Sequence, residues 1–337
     1  MTGERVTTER QSLRWGVLGA GSYVAKIAVV PAMLESTSST ISAIQTSSNI
    51  DYYKNELPEA KLYTNPEDLL KDPMVDAVYL PLPNHLHETW IKTAIDHNKD
   101  VLCEKPLAVD SDKAKELYHY ARSNGRILAE AYMTSYHTRH RSAIARAAQG
   151  DSGEIQHIVS IFSGTLNCAD SNYRWSRSKG GGALLDVGVY ALAPIVELLG
   201  PNPNEITTRS KPNQIAAPED ASEEVITITL GYENGATADV FCSFASAEEQ
   251  QLLIIKDKES IEINRACTPG FTDDSYIFTD SHGEKKSVVV GESDPYLEMV
   301  ESVSQAILKR SEPSWNEEKS LAVSSLIDRI LKASGAK

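Results

Sequence analysis

At 337 residues, 41% hydrophobic and 24% charged, the chain has an ordinary globular composition and, as a soft prior, the length of two domains. It carries 33 basic against 47 acidic residues, a formal charge of −14 with no run of Lys or Arg, which argues against a nucleic-acid partner or an anionic membrane surface. Cys103, Cys168, Cys242 and Cys267 are scattered without a C-x-x-C pair, the segment Met1 to Ser12 is polar, and no later apolar run reads as a bilayer span. The expectation is a cytoplasmic protein with reduced thiols, no metal site and no membrane partner.

Residues 13–19 form a short apolar strand that Gly19-Ala20-Gly21 breaks into a turn, and Ser22 to Leu34 is helix-compatible. Strand, glycine turn and helix in that order is the context of a dinucleotide fingerprint: Gly19 permits the tight turn, and Gly21 lets backbone approach a pyrophosphate at the helix start. Val24 stands at the third glycine position, so the match is imperfect. The second strand, Thr40 to Gln45, leads into Thr46-Ser47-Ser48-Asn49. That run has neither the acid that reads a ribose 2′-hydroxyl nor the Arg that accepts a 2′-phosphate.

A short helix (Glu67–Lys71) precedes the apolar strand Ala77–Leu80, and Pro81-Leu82-Pro83-Asn84-His85-Leu86-His87 then opens a helix to about Asn98. His85 and His87, two apart at a helix start, point apart and do not suit a shared metal. Val101-Leu102-Cys103 reads as a buried strand delivering Glu104 and Lys105 just before Pro106, which ends it. In an open α/β sheet, ligands bind at such carboxyl ends. A helix capped by Asp110 runs to Asn124, and a strand over Arg126–Ala131 completes a doubly wound parallel sheet, residues 1–131.

Residues 132–337 read differently. A helix (His140–Gln149), a strand (Ile155–Phe162) and a helical run from Ala183 to Leu199, with a kink expected at Pro194, are followed by strands in succession. These cover Glu224–Tyr232, Ala236–Phe244, Leu252–Lys256, Ser260–Asn264, Tyr276–Thr279 and Lys286–Val290. Asn234-Gly235 and His282-Gly283 are hairpin signals. The fold class expected is α/β: a Rossmann sheet plus a second α/β domain with a large, mostly antiparallel open sheet. Two helices close the chain, Pro295–Lys309 and Glu317–Ala333, the last free to pack back on the first domain.

Asp186 and Tyr190, four residues apart, share a helix face after Gly180-Gly181-Gly182. An ammonium beside a phenol lowers the phenol's pKa, so Lys105 and Tyr190 from opposite sides of a cleft suit reversible hydride transfer at a carbinol.

The Gly19-Ala20-Gly21 turn, the Pro83-Asn84 pair with His87, Glu104-Lys105-Pro106, and Gly180 through Asp186, Gly188 and Tyr190 together resemble the Gfo/Idh/MocA oxidoreductases, relatives of glucose–fructose oxidoreductase and inositol dehydrogenase. Tyr190, where many members carry His, is similar to the branch of dihydrodiol dehydrogenase and the sugar ketoreductases. The resemblance implies catalytic Lys105 and Tyr190, with Asp186 positioning substrate. It further implies NAD or NADP held by Gly19, Gly21, Ser22, Tyr23, Thr46, Ser47, Leu82, Asn84, His87, Glu104, Lys105 and Arg174. Ser47 stands where NADP-preferring relatives often have Arg. The implied substrate is a sugar or another polyhydroxylated carbinol or ketone. Tyr132, Tyr136 and Trp175 either stack on it or belong to the core, and His137, Arg139, Asn172 and Tyr173 are specificity candidates. Assembly as a homodimer or homotetramer through the open sheet is implied too. Two other readings remain: a lyase or hydrolase that recycles its nicotinamide, and a non-catalytic cofactor-binding sensor.

Overall fold

The computed structural model describes residues 12–335; the reading of the polar N-terminus lies, Ser12 apart, outside them. Six strands, β1 (Leu13–Leu18), β2 (Ser39–Gln45), β3 (Lys61–Tyr63), β4 (Ala77–Leu80), β5 (Asp100–Glu104) and β6 (Leu128–Ala131), form a wholly parallel sheet in the order β3-β2-β1-β4-β5-β6. All of β4 and β6 is buried, as expected where helices cover both faces. These helices are α1 (Val30–Glu35), which continues a π-turn at Ala25–Val29, then α2 (Ile50–Glu56), α3 (Pro66–Lys71), α4 (His87–Asp96) and α5 (Ser111–Ser123). Asp110 caps α5 as expected, accepting from Lys113 N–H at 2.8 Å.

After α6 (Thr138–Ala147) comes β7 (Ile155–Thr165), and a π-turn at Leu184–Gly188 runs into α7 (Val189–Leu199). The strands β8 (Glu205–Pro212), β9 (Glu223–Gly231), β10 (Thr237–Ser243), β11 (Ala245–Lys256), β12 (Glu259–Asn264), β13 (Ser275–Asp280) and β14 (Lys285–Val289) complete an eight-stranded sheet. Its order is β14-β13-β12-β11-β7-β10-β9-β8, antiparallel except between β7 and β10. One face buries Ile158, Ile228, Val240, Leu252 and Ile254, with α7 against β7 and β10. The other leaves Val159, Ile161, Phe241 and Leu253 partly exposed.

The last two helices, α8 (Pro295–Lys309) and α9 (Glu317–Ala333), return to the first sheet. Trp15 Nε1–H donates to Ser304 Oγ at 3.0 Å, and Ser111 N–H donates to Asp328 Oδ2 at 2.8 Å. A single apolar cluster therefore runs from Trp15 to Ile228 and Leu326.

Three elements lie outside the sequence reading. Asn49, before α2, is left-handed and makes no side-chain cap, and β3 is three residues long. β8 is an edge strand of mostly exposed residues, without the apolar alternation that marks a strand. One reading is corrected: Arg177–Leu199, with mean hydropathy 1.7, is long and apolar enough to cross a membrane. Here 67% of that window is buried, because the run is the core helix under the eight-stranded sheet. Pro194 lies inside α7, and the departure from α-helical winding falls earlier, in the π-turn.

Candidate active site

The parallel sheet reverses direction of winding between β1 and β4, and a cleft of about 620 Å³ opens at the carboxyl ends of these strands. Gly19, Gly21, Ser22, Val24, Gln45 and Thr46–Ser48 line one end; Pro81–Asn84 line the middle. Glu104, Lys105, Tyr173, Arg174, Asp186 and Tyr190 line the other.

The first end is made of backbone and hydroxyls. Gly19 has φ +100°, and a Cβ there would lie 2.5 Å from Leu82 Cδ2, so only glycine keeps this floor open. Gly19 N–H is shared between the carbonyl of Gln45 at 3.2 Å and its side-chain oxygen at 3.0 Å, which ties the turn to β2. Tyr53 OH donates to the Ala20 carbonyl at 2.7 Å from α2. Thr46 Oγ1 accepts from Ser48 N–H at 3.1 Å and turns Ser47 and Ser48 onto the rim. A glycine-floored turn, a helix start and hydroxyls without a carboxylate fit the pyrophosphate and ribose of a dinucleotide.

The other end is charged, and residues from both halves of the chain contribute. Lys105 follows β5, while Asp186 lies in the π-turn before α7. Lys105 Nζ donates to the Asp186 carbonyl at 2.6 Å and pairs with its Oδ1 at 3.2 Å. Arg174 Nε donates to Asp186 Oδ2 at 2.7 Å. Burial alone would raise the Asp186 pKa, but the two cations hold it down at about 2. Glu104 accepts from Tyr79 OH at 2.7 Å, and burial raises its pKa. Asn84 Nδ2 donates to the Gly180 carbonyl at 2.8 Å, a second tie across the cleft.

The couple expected between Lys105 and Tyr190 takes a different form. The ammonium lies over the Tyr190 ring, 4.7 Å from its centroid, instead of at the hydroxyl. Burial, with the charges of Tyr296, Glu104 and Asp186 nearby, pushes the phenol well above its ordinary value. Lys105 Nζ makes its hydrogen bonds to the carbonyl and carboxylate of Asp186 and none to the phenol oxygen.

Two candidate cofactor contacts lie away from the cleft lining. Tyr23 is 78% exposed on the outer side of its helix. His87 is fully buried, with Nδ1 3.0 Å from the Pro106 carbonyl and Nε2 2.8 Å from the Leu82 carbonyl, and so joins the loops after β4 and β5. Tyr132, Tyr136 and Trp175 are core residues. His137 and Arg139 are buried against β13 and the 265–273 segment, whereas Tyr173 lines the cleft and Asn172 Oδ1 accepts from Arg174 N–H at 3.0 Å. Of the residues lining the cleft, Gln45 had no place in the sequence reading of the site; it carries no signal beyond ending β2, where its amide can cap the glycine turn. The cysteines are all free thiols, Cys168 alone being partly exposed.

Residues 13–132 match the oxidoreductase family with an NAD-binding Rossmann fold, and residues 140–262 match the GFO/IDH/MocA C-terminal domain. The D-xylose 1-dehydrogenase (NADP(+)) 2 of Haloferax volcanii is 28% identical, over 95% of this chain and 97% of that protein. The dTDP-3,4-didehydro-2,6-dideoxy-alpha-D-glucose 3-reductase of Saccharopolyspora spinosa is 31% identical, over 77% of each. A 3-ketoreductase from Actinomadura kijaniata, solved with NADP and TDP-benzene, superposes with a TM-score of 0.86 at 26% identity, covering 96% of this chain and 98% of that one. With its Rossmann sheet, open second sheet and cleft between them, the chain belongs to the Gfo/Idh/MocA family of NAD(P)-dependent oxidoreductases.

Proposed function

We propose that this protein transfers a hydride between NAD(P) and a carbinol or ketone carbon of a sugar or sugar derivative, with Tyr190 as the proton donor and acceptor. The observation that carries this reading is the convergence of Lys105, just after β5, with Arg174, Asp186 and Tyr190, from the segment that leads into and begins α7, on one end of a dinucleotide-shaped cleft. The naming of relatives as xylose dehydrogenase and sugar 3-reductases supports the substrate class.

Bound nicotinamide supplies or accepts the hydride. Gly19, Gly21, Ser22, Thr46 and Ser47 would hold its dinucleotide, and Leu82, Asn84 and Glu104 would flank the nicotinamide end. The half-buried Tyr190 phenol, its pKa raised, keeps its proton through the neutral range and delivers it to the substrate oxygen as negative charge develops there. Two cations against one carboxylate leave a net positive charge at Lys105, Asp186 and Arg174, which stabilises that oxyanion and, in the reverse direction, the phenolate. Asp186 anchors both cations, so its role is positioning. In the same reading the partly exposed apolar face of the eight-stranded sheet pairs copies of the chain, which light scattering would check.

Tyr190→Phe removes the proton and keeps the ring. Turnover of an aldose panel with NADP+ or NAD+ should fall by about a hundred-fold or more, while titration with NADH or NADPH, read by energy transfer from Trp15, Trp90, Trp175 and Trp315, stays near wild type. Unchanged turnover would sink the role.

A further inference from the structure

Lys105 and Tyr190 sit on different elements, and neither is fixed by its own strand or helix alone. The chain around Lys105 is held at three points. Glu104 accepts from Tyr79 OH, the Pro106 carbonyl faces His87 Nδ1, and Leu107 N–H donates to Glu130 Oε1 at 2.9 Å. The third point differs from the others because Glu130 has a second task. Its other oxygen, Oε2, accepts from Trp315 Nε1–H at 3.1 Å. Trp315 lies in the link between α8 and α9, 1% exposed, and its ring packs on Tyr132 with centroids 4.4 Å apart. Tyr132 in turn packs on the Tyr190 ring at 5.6 Å. The Trp315 backbone N–H also donates to Tyr136 OH at 3.3 Å, so the residue is held at its main chain as well as at its indole. A buried carboxylate on β6 thus touches the loop that carries Lys105 on one side and the ring stack behind Tyr190 on the other.

We infer that Glu130 is a positioning residue for both proposed catalytic groups, setting the Lys105 loop through Leu107 and the Tyr190 ring through Trp315 and Tyr132. This rests on the reading of Lys105 and Tyr190 given above. Leu107 N–H and Trp315 Nε1–H can only donate, so each must meet an accepting oxygen of Glu130, while the Ser320 hydroxyl, which also bonds to it, can donate or accept. That requirement separates its role from mere filling of space. Gln has the same shape but one oxygen; its amide would turn a donor towards either Leu107 N–H or Trp315 Nε1–H and break one tie. Replacing Trp315 by Phe as well removes the opposing donor while retaining a ring beside Tyr132.

The test uses the full-length protein with NADP+ or NAD+ and an aldose panel, for wild type, Glu130→Gln, Trp315→Phe and the double variant. The expected result is a fall in kcat of about ten-fold or more for Glu130→Gln, with cofactor Kd within about two-fold. The double variant should regain part of that loss, because Gln then serves Leu107 without a clash. Amide hydrogen exchange, which needs no substrate, should speed up in Glu130→Gln both around 104–108 and around 186–192. Exchange that changes around 104–108 but not around 186–192 would overturn the inference, as would wild-type kcat in Glu130→Gln. If Glu130→Gln does not fold, Trp315→Phe decides: faster exchange around 186–192 supports the link to Tyr190, and wild-type exchange there refutes it. Wild-type protein without turnover on any sugar would instead count against the proposed activity, leaving the exchange result to judge Glu130.

Discussion

The two ends of the cleft are built on opposite principles. At the Gly19 end the lining is main chain, hydroxyl and amide, and it comes from one sheet whose strands are adjacent in space. At the Lys105 end the lining is charged, and its central pair joins residues 81 positions apart, one just after β5 and one in the π-turn before α7. A glycine turn binds by shape and tolerates many occupants; an ion cluster tunes one reaction and fails if one member leaves. On the proposed function the division would separate affinity from turnover, and substitutions at each end should separate them too.

The largest expected effect is at the charged end. Lys105→Ala should lower kcat by about a thousand-fold with little change in cofactor Kd, measured by steady-state kinetics beside fluorescence titration. Parallel loss of both would erase the distinction. Next, Asp186→Asn leaves Lys105 and Arg174 facing each other without a carboxylate, and should destabilise the fold by about 3 kcal/mol in denaturant unfolding. The pH dependence sharpens this. The folded pKa of Asp186 is depressed from 3.8 to about 2, so its stabilisation is present above the unfolded value and is lost as pH falls through that interval. Wild type should therefore lose about 2 kcal/mol more than Asp186→Asn across the interval, read from unfolding curves at successive pH values.

At the neutral end the order reverses. Gly19→Ala puts a methyl against Leu82 in a backbone conformation that L residues avoid, at about 1–3 kcal/mol; cofactor affinity should fall by about ten-fold or more, while kcat at saturating cofactor stays within about three-fold. A large kcat loss would show that the glycine turn also sets the reacting geometry. The smallest effect expected is for Ser47→Arg, which adds a cation at the rim without touching Lys105: the ratio of NADPH to NADH affinity should rise by about ten-fold, with no change in stability beyond about 0.5 kcal/mol.

Legibility in the sequence follows the same division. In the first sheet β1, β4 and β5 announce themselves as short apolar runs closed by Gly or Pro, and Asp110 marks the helix start that it caps. Motif residues such as Gly19, Lys105 and Asp186 could be named, because their types at those spacings suit the chemistry. What could not be read was which groups occupy one another. Lys105 is engaged by the Asp186 carbonyl as well as its carboxylate, and this depends on the π-turn that presents that carbonyl. His87 offered a ring to the cofactor in sequence, yet two loop carbonyls enclose it. Tyr132 and Tyr136, plausible as stacking platforms by composition, support the back of the site because α8 and the link to α9 close over them.

The tie between Lys105 and the Asp186 carbonyl has an evolutionary side. Together with Asn84 and Gly180 it fastens one half of the molecule to the other, so the ammonium is a latch as well as an electrostatic group. A descendant that abandoned redox chemistry would still need that fastening, and selection for an intact fold would retain the lysine after selection for turnover had ceased. On the proposed reading, an intact lysine among chains of this architecture is therefore a weaker mark of an active enzyme than an intact Tyr190, whose hydroxyl has no hydrogen-bond partner among the described residues.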